Sequence, residues 1–119
     1  MLRSKPLILC VDDESDICEM LRDFLEDSEL YQVITCSETN LVLPLIQRES
    51  PDLVTLDMRM PGKSGLELLE EIKAYDNDIA VIMVTAVREV ETALQAVRLG
   101  AYDYVNKPLG IEEVNFAVN

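Results

Sequence analysis

What most restricts the fold of this chain is a strict alternation between two hydrophobic periods. Leu7 to Val11 is an unbroken apolar run, whereas Ile17, Met20, Leu21, Phe24 and Leu25 recur at i, i+3, i+4, i+7 and i+8. The first pattern is that of a strand buried on both faces, and the second that of one helix face. The exchange then repeats. Tyr31 to Cys36 reads as a second strand and Ser37 to Glu49 as a second helix, in which Pro44 predicts a kink or a late start because it lacks an N–H and crowds the preceding turn. Pro51 opens a third strand, Asp52 to Leu56, closed by Asp57; Leu66, Leu69 and Ile72 mark a third helix. Ile79 to Val84 forms a fourth strand running into Thr85 and Ala86, and Val87, Val90, Leu94 and Val97 form the stripe of a fourth helix that Gly100 ends. Tyr102 to Asn106 is the fifth strand, and a short helix follows from Ile111.

Strands alternating with helices, without linker or repeat, imply an α/β domain with a doubly wound parallel sheet. Five strands in a chain of 119 residues suit the order 2-1-3-4-5 in one domain spanning residues 1–119. A half Rossmann unit is the rival by pattern.

Composition narrows the function. The apolar runs are too short to cross a bilayer, and the amino terminus lacks a secretory signal, so a membrane role is not expected. With 23 acidic and 10 basic side chains, the net charge of -13 repels nucleic-acid phosphates and anionic lipid. Cys10, Cys18 and Cys36 are odd in number and lack C-x-x-C spacing, which favours buried, reduced thiols and a cytoplasmic location.

In open parallel sheets, ligands bind beyond the carboxyl ends of the strands where strand order reverses. Those ends carry Asp12 and Asp13 after the first strand, Asp57 after the third, Thr85 after the fourth and Lys107 after the fifth. Each alone has an ordinary explanation: Asp13 and Thr85 as helix caps, Asp57 as a turn carboxylate, Lys107 as solvated surface. Their coincidence at one sheet edge favours a site. Carboxylates brought together need a proton or cation, and Mg2+ suits an all-oxygen set that leaves room for water and phosphate. The chain contains no histidine, which argues against zinc and removes a histidine base.

In this order, Asp12-Asp13, Asp57 before Met60-Pro61 and Gly65, Thr85-Ala86, and Lys107-Pro108 closely resemble the receiver domains of two-component response regulators, with their flavodoxin-like fold. The resemblance covers essentially the whole chain. It implies that Asp57 accepts a phosphoryl group from a phosphohistidine on a sensor histidine kinase or phosphotransfer protein. It further implies that Asp13, Asp57 and the main-chain carbonyl of Arg59 bind Mg2+ directly and Asp12 through water. Lys107, followed by Pro108, would contact the phosphoryl group, while Thr85, Ala86 and Tyr104 would form the switch. Output would pass through the fourth helix, fifth strand and fifth helix, a surface that also offers a homodimer contact. The chain would then be a signalling module rather than an enzyme, catalysing only its own phosphotransfer and dephosphorylation. Arg59 and Val87 lack carboxamide or carboxylate groups to orient a hydrolytic water, so a long-lived phosphoryl group is expected. The short final helix predicts the amino-terminal part of a longer regulator, with an output domain downstream that binds DNA in many relatives. An aspartate-nucleophile phosphatase of the dehalogenase type would want a second aspartate where this chain has Arg59. A receiver-like domain that is no longer phosphorylated would want an incomplete site.

Overall fold

A computed structural model of the chain describes residues 5–27, 29–57, 62–86 and 90–107. Strands β1 (Leu7–Val11), β2 (Gln32–Cys36), β3 (Leu53–Asp57), β4 (Ala80–Ala86) and β5 (Asp103–Lys107) alternate with helices α1 (Ser15–Asp27), α2 (Thr39–Glu49), α3 (Gly65–Tyr75) and α4 (Val90–Arg98). The strands are parallel and ordered β2-β1-β3-β4-β5, the arrangement expected from the sequence. The short helix expected from Ile111 lies outside the described residues.

Side chains of β1 alternate between two cores because successive residues of a strand point to opposite faces. Leu9 and Val11 pack with Val54, Leu56, Val81 and Met83 beneath α2, α3 and α4, while Ile8 and Cys10 pack with Cys18, Leu21 and Leu25 of α1. Helices on both faces account for the unbroken apolar run. At the amino ends of the strands, Asp52 clamps β1 to β3: its Oδ2 accepts the Leu7 N–H at 2.8 Å and its own N–H donates to the Leu7 carbonyl at 2.9 Å.

Two apolar stripes differ from expectation. In α1, Met20 is 45% exposed and Cys18 takes the core position, so the buried row is Cys18, Leu21 and Leu25. In α4, Leu94 and Val97 are 50% and 46% exposed, and the small Ala96 faces the sheet. The end of α4 does follow expectation. Gly100 has φ +107, the Gly100 N–H donates to the Val97 carbonyl and the Ala101 N–H to the Ala96 carbonyl. These paired bonds are a Schellman ending, and the buried Ala96 and Ala101 supply its apolar contact.

Helix α2 runs from Thr39 to Glu49 through Pro44, so neither Ser37 nor the residue after Pro44 is its start. Pro44 and Asn40 are both exposed, and the Asn40 carbonyl deprived of its i+4 N–H can therefore be hydrated. The helix ends at Ser50, a non-glycine residue with φ +49, just before Pro51. On the edge strand β2, Gln32 and Cys36 bond toward β1, through Gln32 N–H to the Pro6 carbonyl and Asp12 N–H to the Cys36 carbonyl. Alternation turns Val33 the other way, and its N–H donates to Glu26 Oε2 of α1 at 3.3 Å.

Candidate functional site

Adjacent strands β1 and β3 end level, with Val11 paired to Leu56. The next residues, Asp12 and Asp57, therefore reach the sheet edge side by side, with Asp13 one residue on. A carboxylate oxygen from each of Asp12, Asp13 and Asp57 lies within 4.8 Å of the other two, the only such three-residue group among the described residues. Asp12 and Asp57 are 3% and 4% exposed, whereas Asp13 is open to solvent.

The turn out of β1 holds this geometry. Asp12 Oδ1 accepts the Glu14 N–H at 2.9 Å, bending the chain toward α1. The first helical bond runs from the Cys18 N–H to the Glu14 carbonyl, which makes Glu14 the capping residue and leaves Asp13 ahead of the cap. Beneath the turn, the Cys18 thiol donates to the carbonyls of Cys10 and Asp12, each at 3.6 Å. Burial, with the neighbouring Asp12 charge second, pushes the Cys18 thiol up to about 11, so the proton stays on sulfur at neutral pH.

Carboxylates brought this close repel one another. A divalent cation offsets that cost. The donor set suits a hard cation, being all carboxylate oxygen with an open side at Asp13 where water can complete the coordination.

The backbone brings the other expected positions to the same edge. Asp57 pairs with Val84, Thr85 follows Val84 and pairs with Asn106, and Ala86 pairs with Lys107. Tyr104 pairs with Met83, further back in the sheet. The side chains of Thr85, Ala86, Tyr104 and Lys107 lie outside the described residues, as do Arg59, Val87 and Pro108 altogether.

Sequence reasoning passed over the anchor that follows the Asp57 loop. Ser64 caps α3 by accepting the Glu67 N–H at 3.2 Å, and its hydroxyl donates to Glu67 Oε1 at 3.4 Å. Lys63 Nζ donates to both carboxylate oxygens of Glu71, at 2.7 and 2.8 Å. The Ser64-x-x-Glu67 spacing is a capping-box signal and was readable in advance. The Lys63–Glu71 contact and the Cys18 contact carry no such signature, because each depends on the path of the intervening chain.

The family model described as the response regulator receiver domain matches residues 8–119. The chain is 37% identical over 111 residues to sporulation initiation phosphotransferase F of Bacillus subtilis (strain 168), a match covering 93% of this chain and 89% of that protein. It is also 37% identical over 111 residues to regulatory protein AtoC of Escherichia coli (strain K12), covering 93% of this chain and 24% of that protein. This chain thus spans about a quarter of one relative and most of the other. Among solved structures, a response regulator receiver domain protein from Clostridium thermocellum superposes with a TM-score of 0.89 at 34% identity, covering 96% of this chain and 91% of that one.

Proposed function

The chain belongs to the response regulator receiver domain family, and from that premise we propose that Asp57 is the residue on which it carries the phosphoryl group. As a receiver domain of two-component response regulators, it is a phosphorylation-dependent signalling switch. The convergence of Asp12, Asp13 and Asp57 at the switch point of the sheet is the observation that supports the residue assignment.

A carboxylate oxygen of Asp57 attacks the phosphorus of a phosphohistidine on a sensor kinase or phosphotransfer protein. The P–O bond of an acyl phosphate forms, the P–N bond breaks, and the leaving imidazole nitrogen takes up a proton. Asp13, Asp57 and the Arg59 carbonyl would hold Mg2+ directly and Asp12 through water, and the metal when bound would neutralise charge on the phosphoryl oxygens. The Lys107 ammonium contacts one of those oxygens, and the Thr85 hydroxyl another. Ala86 leaves room beside them. Thr85 and Tyr104 then bias the surface formed by α4, β5 and the segment after Pro108 between two populations.

The chain acts as a signalling module, its catalysis limited to its own phosphotransfer and dephosphorylation. It works in the cytoplasm as the receiver of a longer regulator. The carboxyl-terminal output domain has DNA binding as its first candidate activity, and the α4-β5 face offers a homodimer contact. The 24% coverage of AtoC supports the longer regulator, while the 89% coverage of sporulation initiation phosphotransferase F shows that relatives of equal identity also exist at about this chain's length. Incubation with Mg2+ and acetyl phosphate should label the wild-type chain at one site and leave Asp57→Asn unlabelled. Labelling of Asp57→Asn at the wild-type rate would overturn the assignment.

A further inference from the structure

We infer that Cys18 is a positioning residue for the acidic site, its thiol holding the β1 terminus in the shape that presents Asp12 and Asp13 to a divalent cation. The inference rests on the Mg2+ reading above and adds a residue that touches neither metal nor phosphate.

Geometry carries it. The last ladder bond between β1 and β2 is Asp12 N–H to the Cys36 carbonyl, and beyond it β1 has left the sheet. Past that point the chain is steered by side chains. Asp12 Oδ1 takes the Glu14 N–H ahead of it, and the Cys18 thiol spans the Cys10 and Asp12 carbonyls behind it. Those carbonyls are two residues apart on the same side of the strand, so a single donor across both fixes the direction in which the peptide after Asp12 leaves. That peptide carries Asp13. Cys18 is itself 3% exposed, in the core that joins α1 to Ile8 and Cys10 of β1 and Val33 of β2. The contact therefore joins a rigid helix to the backbone of a ligand residue, the role that groups outside a metal's own ligands play in setting affinity.

Outer groups that orient ligands through strong hydrogen bonds change metal affinity by about 10- to 100-fold, and a thiol is a weak donor, so roughly three- to tenfold is the effect expected here. The test compares Mg2+ titrations by calorimetry for wild type, Cys18→Ala, Cys18→Ser and Cys10→Ala, each well below its own melting temperature. Cys10 is the control, since its thiol is buried in the same core and bonds to Thr55 rather than to the Asp12 carbonyl. Cys18→Ala should weaken Mg2+ binding roughly three- to tenfold, Cys18→Ser should restore most of it through its hydroxyl, and Cys10→Ala should lose stability while keeping wild-type affinity. Cys18→Val, which keeps the apolar volume and lacks the donor, takes the place of alanine if that variant does not fold. Wild-type affinity in Cys18→Ala or Cys18→Val, or equal losses in the Cys18 and Cys10 variants, would overturn the inference alone. A wild-type chain that does not bind Mg2+ would overturn the metal reading and this inference with it.

Discussion

Asp13 is the solvent-facing member of the acidic group, so removing its charge should disturb the fold least and the metal site most. Asp13→Asn is expected to weaken Mg2+ binding by tenfold or more and, without metal, to stabilise the chain by about 1 kcal/mol or less through relieved repulsion. Calorimetric titration and metal-free thermal melts read the two effects separately. Cys10 lies at the opposite extreme. Burial, opposed in part by its Thr55 hydrogen bond, pushes its thiol from 9.0 up to about 12. Since the folded value is the raised one, the neutral thiol's contribution to stability is complete below pH 9 and is lost as pH climbs toward 12, on the order of 3 to 4 kcal/mol in all. Urea unfolding between pH 8 and pH 11 should accordingly show a shallower alkaline fall in Cys10→Val than in wild type. At this scale the carboxylates of the site were legible in the sequence, because an acidic residue directly after a buried apolar run can only emerge at a sheet edge. Cys18 was not legible, because cysteine in a helix reads as a small apolar residue and its donor role depends on which carbonyls lie beneath it.

Elements were legible where burial is two-sided and ambiguous where it is one-sided. Every strand was found to within one or two residues, and the central ones most directly, since both faces of a central parallel strand must be apolar. Helices declare only a stripe, and a stripe chosen by side-chain size errs where a small residue lies nearest the sheet, as Ala96 does between the exposed Leu94 and Val97. Pro44 does not delay the start of α2, and its position on the helix accounts for that. Its expected disruption would be severe in a buried turn, but on the exposed face of α2 the affected carbonyl is open to hydration and the helix continues. The remaining cost is local. Pro44→Ala should therefore stabilise the chain by about 1 to 3 kcal/mol, the helix-interior penalty of proline less its rigidifying effect on the unfolded chain. Equilibrium denaturation measures this, and an unchanged midpoint would show that α2 accommodates proline without cost.

Over the whole molecule the net charge of -13 sets a background of self-repulsion on which the local site is superimposed. Sodium chloride should raise the melting temperature gradually by screening, whereas Mg2+ at matched ionic strength should add an increment that depends on its concentration relative to the dissociation constant. Asp13→Asn should keep the first response and lose most of the second, and thermal melts across the two salts separate them. The same surplus of charge bears on the edge of the sheet. The outward Val33 N–H of β2 is occupied by the Glu26 carboxylate, reaching across from α1. A strand from a neighbouring molecule seeking that amide must first displace an anion already seated there, and would meet an acidic helix as it did so. In a crowded solution of identical molecules, this carboxylate guards the β2 edge against the growth of a continuous intermolecular sheet.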